Sequence, residues 1–383
     1  MCLFLVKGGS NMKIAMLGQK RIPSREGGVE VVVEELSARM VKKGNDVTCY
    51  NRKGKHVMDK NQKQEKLKEY KGVKLVQVFT IDKKGLAAMT ASFFATMKIL
   101  FSKAEIVHYH AEGPCAWMWI IKWFSKKKIV ATIHGLDWQR AKWGGFATKY
   151  IKYGEKQAVK YADEIIVLSK NVQDYFKKTY NRKTVFIPNG VNKPEIVKPD
   201  IIKLKYKLEK DSYILYLGRL VPEKGIHYLI DAYNNIKTDK KLVIAGGASD
   251  TDSYYKELKE KAKDNKNILF TGFTQGKELD EFFSNAYIYV LPSDLEGMPL
   301  TLLEAMSYGN CCLTSNIKEC STVIENKGIT FKKSDVEDLT KILQDLCNNK
   351  AKVERYKKES QKYILDKYNW DDVVDQTLSL YRK

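Results

Sequence analysis

Short apolar runs alternate with amphipathic stretches of helical length along this chain, and the alternation runs twice. Brief buried strands joined by helices fold as a parallel sheet covered on both faces, so this pattern limits the fold more than any other feature. In the first half, strands are expected at Lys13–Gly18, Asp46–Tyr50, Val73–Phe79, Glu105–Tyr109, Lys128–Ile133 and Glu164–Leu168. Helices are expected at Val29–Lys43, closed by Gly44, and at Ala87–Phe101 and Cys115–Phe124. Pro188-Asn189-Gly190-Val191 and the stretch from Pro194 to Pro199 break the rhythm and read as a linker. The rhythm then resumes with strands at Tyr213–Leu217, Lys241–Ala245, Ile268–Thr271 and Tyr287–Leu291. Helices fall at Gly225–Ile236, Tyr254–Asp264, Lys277–Ser284 and Pro299–Tyr308. The expected class is α/β, two Rossmann-like domains facing across a cleft, spanning residues 12–193 and 194–367. In such domains ligands bind beyond the carboxyl ends of the strands.

The length of 383 residues and an apolar content of 44% suit two cores. No uncharged apolar run is long enough to span a bilayer. The apolar stretch Cys2–Val6 is too short, and lacks the basic start, for a secretory signal. Met12, directly before the first strand, is a second candidate start. The seven cysteines show no paired spacing, so buried reduced thiols in a cytoplasmic protein are expected. The net charge of +21 is lopsided: residues 1–195 hold 37 Lys and Arg against 17 Asp and Glu, the remainder 30 against 29. A cationic first half calls for a polyanionic partner, nucleic acid or an anionic membrane face. No RNP, helix-turn-helix or zinc pattern organises these charges, which disfavours nucleic acid.

Three loops carry chemistry. The first runs from Gly18 to Gly28 after the first strand; Gly27 and Gly28 open a helix, and Lys20, Arg21 and Arg25 precede them. Free N–H groups at a helix start, backed by cations, suit an anion, although the loop is not a GxGxxG. The second, Gly218-Arg219-Leu220-Val221-Pro222-Glu223-Lys224-Gly225, sets Arg219 and Lys224 at a strand-to-helix turn, a constellation suited to a diphosphate. The third, Glu296-Gly297-Met298-Pro299-Leu300-Thr301-Leu302-Leu303-Glu304, is the most specific. It offers two carboxylates for sugar hydroxyls, and between them amide donors near a helix start.

The Glu-x7-Glu element, the GRL-PEKG loop and the double alternation resemble the family 4 retaining glycosyltransferases of the GT-B fold, from Lys13 onward. The segment Trp370–Tyr381 resembles the family's last helix, which returns to the N-terminal domain, so residues 368–383 are assigned there. The stretches Arg25–Glu30, His108–Pro114 and Thr132–Trp143 resemble bacterial polysaccharide rhamnosyltransferases that extend a polyprenyl-diphosphate-linked capsule or cell-wall unit. The resemblance implies that Arg219 and Lys224 hold the donor diphosphate, Glu296 contacts the transferred sugar, and Glu304 binds ribose hydroxyls. It also implies that the Gly297 and Met298 amides bind sugar or phosphate, that Gly27 and Gly28 approach the donor phosphates, and that His134 touches the donor sugar. His110 and Glu112 are secondary acceptor-side candidates; His56 and His227 look incidental.

Departure of a nucleoside diphosphate needs positive charge, which two cations and helix N-termini supply. With no DxD-type acidic pair at a strand end, neither metal nor cofactor is expected. Retention at the anomeric carbon follows from the resemblance alone. The donor stays open: TDP-rhamnose first, then UDP-glucose, UDP-galactose or an N-acetylhexosamine derivative. A nucleotide-sugar epimerase of the same fold is the enzymatic rival. Ala87–Phe101 and Trp117–Phe124, followed by Lys126–Lys128, combine aromatic and basic surface. A peripheral position on the inner face of the plasma membrane, receiving a lipid-linked saccharide acceptor, is expected.

Overall fold

The computed structural model describes residues 11–54, 67–83, 85–140, 144–247 and 252–383; Cys2 and His56 lie outside these. The chain divides into two compact units. Of the described residues, the first holds those up to Gln139, those from Gly144 to Ile187 and Asp371–Lys383; the second holds Arg140 and those from Pro188 to Trp370.

The first unit is built on β1 (Lys13–Leu17), β2 (Asp46–Arg52), β3 (Glu69–Tyr70), β4 (Val73–Val78), β5 (Ile106–His110), β6 (Lys128–Ile133), β7 (Glu164–Val167) and β8 (Val185–Phe186). They form one sheet in the order β3-β4-β2-β1-β5-β6-β7-β8, parallel except for the β3–β4 pair. The central strands are buried along nearly their whole length, as a sheet covered on both faces requires. The helix Gly28–Lys42 lays Val32, Val33, Leu36 and Met40 into the core at helical spacing. It stops one residue earlier than expected, where Gly44 at φ +87° bonds its amide to the Val41 carbonyl.

The second unit holds β9 (Tyr213–Leu217), β10 (Lys241–Ala245), β11 (Ile268–Gly272), β12 (Ile288–Leu291), β13 (Cys311–Ser315) and β14 (Ile329–Phe331). All pair in parallel in the order β11-β10-β9-β12-β13-β14.

Each sheet has a point where strand order reverses, between β1 and β5 and between β9 and β12. Loops leaving the two strands there diverge and open a crevice. A glycine lets backbones meet at each point. A Cβ on Gly18 (φ +117°) would lie 2.1 Å from the His110 carbonyl oxygen, and one on Gly225 (φ +65°) would lie 2.1 Å from that of Pro292.

The expected helix Cys115–Phe124 is two pieces, Glu112–Cys115 and Met118–Phe124. Ala116 and Trp117 bond three residues back, to Gly113 and Pro114, which tightens the turn and breaks the α-helix. The last helix, Trp370–Arg382, is fastened to the first unit: Tyr381 Oη lies 2.5 Å from His108 Nδ1, and Lys128 Nζ donates to the Leu380 carbonyl at 2.7 Å. Within Lys126–Lys128 only Lys126 is exposed. Lys127 is consumed internally, its ammonium donating to the carbonyls of Ser102 and Ala104 at 2.7 and 2.8 Å. All six described cysteines are free, and five of them are buried. Among the described residues, no helix is long and apolar enough to cross a membrane.

Candidate active site

The second unit presents its chemistry on the loops after β9 and β12. Tyr216, fully buried in β9, donates its hydroxyl to the Arg219 carbonyl at 2.9 Å, and the Leu220 amide donates to the Gly247 carbonyl. The β9 loop is thus fixed at its base. Pro222–Lys224 then form a 3-10 turn that ends at left-handed Gly225, displacing the expected helix start to Ile226. This turn aims Lys224 at the neighbouring loop, where its Nζ lies 2.5 Å from Glu296 Oε1. Ser293 Oγ donates to the same oxygen at 2.7 Å. The two charged side chains are only 14% and 7% exposed, so water screens them weakly. A backbone bond from the Asp294 amide to the Glu223 carbonyl, at 2.9 Å, ties the loops together. The Asp294 carboxylate accepts from Tyr228 and Ser334 at 3.1 and 2.7 Å and holds that tie in place.

The helix Leu300–Ser307 starts behind Pro299, leaving Glu296 and Gly297 in the loop and Glu304 half-buried in the second turn. The Met298 thioether faces elsewhere: its sulfur accepts the Asn189 amide at 3.0 Å. Arg219 is half-buried at the base of the same loop as Lys224. The structure therefore brings Lys224 and Glu296 into contact, a pairing that their separation of 72 residues hides in the sequence.

In the first unit, Gly27 caps the helix Gly28–Lys42 in extended conformation. A Cβ there would sit 2.3 Å from Glu30 Oε2, so the bare backbone makes room for that carboxylate. Glu30 is buried, and its Oε1 accepts the Lys20 amide at 2.7 Å. The helix start therefore carries an acid of its own. Arg21 and Lys20 lie 3.6 and 3.9 Å from Glu26.

The ends of β5 and β6 assemble three histidines. His108 and His110 stack with centroids 4.2 Å apart, and His110 Nδ1 lies 3.2 Å from His134 Nε2. His108 Nε2 lies 2.7 Å from Thr132 Oγ1. Burial, reinforced by the neighbouring imidazoles, pushes His108 down to about 3 and His110 well below the usual histidine range, so both are neutral near pH 7. His134 is 8% exposed, and the Nε2 facing His110 is engaged. Glu112 is fully buried, its Oε1 accepting the Asp137 amide at 3.0 Å. Burial, with the Asp137 carboxylate beside it, drives its carboxyl well above the usual range. His227 packs against Tyr228 and Tyr254 in the second unit.

Sequence reasoning missed Glu155, in the helix Gly145–Tyr161. It is fully buried and accepts from Trp138 Nε1 at 3.1 Å, Tyr175 at 2.9 Å and Tyr180 at 2.5 Å. Nothing in Lys152–Lys160 distinguishes it from a solvated glutamate.

Residues 26–193 match the profile of Glycosyltransferase Family 4, and residues 198–363 that of Glycosyl transferases group 1. The chain is a glycosyltransferase of this family type. One relative is the UDP-Gal:alpha-D-GlcNAc-diphosphoundecaprenol alpha-1,3-galactosyltransferase of Escherichia coli, 27% identical and covering 66% of this chain and 68% of that protein. Another is O-antigen chain mannosyltransferase C of Escherichia coli, 23% identical over 97% and 98% of the two chains. Among solved structures, Anabaena HepE with UDP and glucose superposes with a TM-score of 0.80, at 15% identity over 97% and 99% of the chains. That likeness establishes the two-domain GT-B type of fold for this glycosyltransferase.

Proposed function

We propose that this glycosyltransferase transfers a hexose from a nucleotide sugar to a polyprenyl-diphosphate-linked saccharide in capsule or cell-wall polysaccharide synthesis, with retention and without a metal ion. The observation that carries the proposal is the Lys224–Glu296 contact at the β9/β12 reversal, made by the loop that also carries Arg219. Cleaving a glycosyl phosphate builds negative charge on the departing diphosphate and positive character on the sugar. Lys224 and Arg219 face the first need, and Glu296, placed 2.5 Å from Lys224, can bind a sugar hydroxyl beside the breaking bond. Glu304 takes the ribose hydroxyls, and the amides of Gly297 and Met298 bind sugar or phosphate. Gly27 and Gly28 approach the donor phosphates from their own unit, with Glu30 limiting how much negative charge they accept.

The first donor is TDP-rhamnose, on the likeness of Thr132–Trp143 to rhamnosyltransferase sequences. UDP-galactose is the second reading, favoured by the Escherichia coli galactosyltransferase, whose name also supplies a diphosphoundecaprenol acceptor. The enzyme works peripherally at the inner face of the plasma membrane, where its cationic first half meets anionic lipid.

The test is direct. Purified protein is mixed with membranes carrying lipid-linked saccharide and, in separate reactions, TDP-rhamnose, UDP-galactose, UDP-glucose and UDP-N-acetylglucosamine. Acceptor-dependent release of one nucleoside diphosphate supports the proposal and names the donor. Donor consumption without an acceptor points to an epimerase, and no consumption at all refutes the assignment.

A further inference from the structure

The loop after β6, from His134 to Gln139, is gripped by fully buried polar side chains from three other elements. At the end of β5, His110 Nδ1 meets His134 Nε2 at 3.2 Å. Just beyond β5, Glu112 Oε1 accepts the Asp137 amide at 3.0 Å. From the helix Gly145–Tyr161, Glu155 Oε2 accepts the indole N–H of Trp138 at 3.1 Å. Its other oxygen accepts the hydroxyls of Tyr175 and Tyr180, so both oxygens are committed. The preceding residue, Gly154, has no room for a side chain: a Cβ would lie 2.0 Å from the Glu112 carbonyl oxygen. The helix therefore rests directly on the turn that carries Glu112. Lys152 of the same helix covers the Trp138 ring, its Nζ 4.2 Å from the centroid.

This is a costly way to hold a loop. A buried carboxyl loses its hydration and recovers it only through well-placed donors. Apolar side chains would pack the same space more cheaply, but they fix neither the direction of an indole N–H nor the plane of an imidazole. Three polar groups aimed at six residues specify one loop geometry, and that loop begins with His134.

We propose that Glu155 is a positioning residue for group transfer: through Trp138 it sets the His134–Gln139 loop, with Glu112 and His110 holding the other side. The proposal rests on the reading that His134 acts at the transferred sugar. Glu155 is fully buried, so it acts only through the groups it binds, and of these Trp138 is the one in the loop.

The experiment uses four full-length variants, His134→Ala, Trp138→Phe, Glu155→Leu and Glu155→Gln. Release of nucleoside diphosphate is followed with TDP-rhamnose and UDP-galactose over membranes carrying lipid-linked acceptor. Protein grown on 5-fluorotryptophan reports the Trp138 environment by fluorine NMR, the resonance being assigned by its loss in Trp138→Phe. Glutamine keeps an oxygen for the indole and offers an amide that the two tyrosines can accept, so it should rescue where leucine does not. Glu155→Leu and Trp138→Phe are expected to lower kcat by thirtyfold or more, with donor KM within threefold and the circular dichroism unchanged. Glu155→Gln should stay within threefold of wild type, and Glu155→Leu should shift the Trp138 resonance. If Glu155→Leu does not fold, Trp138→Phe decides the matter. Near-native kcat in Trp138→Phe while His134→Ala is impaired overturns the proposal and leaves the His134 reading standing. An unmoved Trp138 resonance in folded Glu155→Leu overturns it equally. Full turnover in His134→Ala refutes the His134 reading itself, and with it the link from Glu155 to transfer.

Discussion

Lys224 and Glu296 come from adjacent loops of one sheet and meet at 2.5 Å, each side chain almost wholly withdrawn from water. A pair so placed is costly to split, because removing one partner strands the other charge, at about 3–5 kcal/mol for a fully buried pair. Ser293 remains as a donor to Glu296 and softens the loss on that side. Lys224→Ala and Glu296→Gln should each lower kcat by about 100-fold to 1,000-fold, the range for losing one preorganised charge or hydrogen bond at a reacting centre. Lys224→Ala should also lower Tm more than the double variant Lys224→Met/Glu296→Met, which leaves no unpaired charge. Steady-state kinetics and thermal melts check both. Near-native turnover in either single variant would remove this pair from the chemistry.

The close approach of the two loops depends on Gly225. At φ +65° a side chain is strained in any surroundings, and here it would also meet the Pro292 carbonyl oxygen at 2.1 Å. Gly44, which closes the helix Gly28–Lys42 at φ +87° with open space around it, is a control for positive φ without a clash. Gly44→Ala should cost about 1–2 kcal/mol, the backbone strain alone. Gly225→Ala should cost more and also weaken UDP binding, because the Lys224 turn must shift. Calorimetric titration with UDP and melts of both variants provide the comparison. Equal UDP affinity in the two would show that the loop contact does not shape the donor site.

The central strands of both sheets were readable because they are short apolar runs flanked by glycine and helix, a pattern that survives without tertiary information, whereas β13 and β14 were not expected as strands. The β12 loop was readable for a similar reason, since strand, Glu296, Gly297, Pro299 and helix follow in an order that a plain surface helix does not need. The Lys224–Glu296 contact was not, because it depends on which strands are neighbours. Glu155 was hidden by its own context, since it stands among Lys152, Lys156 and Lys160 as a solvated glutamate would. Only the fold shows that Gly154 serves a close backbone approach and that three aromatic donors converge on the glutamate. Lys127 misleads in the opposite sense, a basic residue whose ammonium is spent on two backbone carbonyls.

The buried histidines make acid stability a readout of the first unit. His108 is held at about 3 in the fold, against 6.5 when unperturbed. Between those values the unfolded chain binds a proton that the folded chain lacks. Stability is therefore full above about pH 6.5 and falls as the pH drops, by up to about 1.4 kcal/mol per unit for each such histidine. His110 acts in the same direction. Glu112 acts in the opposite direction: its raised pKa contributes stability below about pH 4.5 that is lost as the pH rises. As the pH rises above about 4.5 it offsets part of what the histidines contribute, so the slope should steepen below 4.5. Denaturant melts of wild type and His108→Gln from pH 3.5 to 7 should differ in slope by one histidine's share. Parallel curves would mean that His108 is not held neutral by the fold.

On the proposed membrane role, the surface to test lies at the C-terminal ends of two helices, Leu86–Leu100 and Met118–Phe124. There Phe101, Trp123 and Phe124 are 81%, 64% and 67% exposed, unusual for large aromatics. Beside them a cavity of about 570 Å³ is lined by Lys122, Lys126 and Lys383 among others. Lys122 is paired with Asp163 at 2.6 Å, which leaves Lys126 as the exposed charge of the run Lys126–Lys128. One lysine near an anionic bilayer contributes about 1 kcal/mol, so Lys126→Ala should lower partitioning onto phosphatidylglycerol vesicles about fivefold. Trp123→Ala/Phe124→Ala should lower it on phosphatidylcholine vesicles as well, since its effect is apolar and persists in salt. Lys127→Ala should chiefly lower Tm, because its ammonium caps the carbonyls of Ser102 and Ala104. Wild-type vesicle binding by both Lys126→Ala and the aromatic double variant would place the membrane contact elsewhere on the chain.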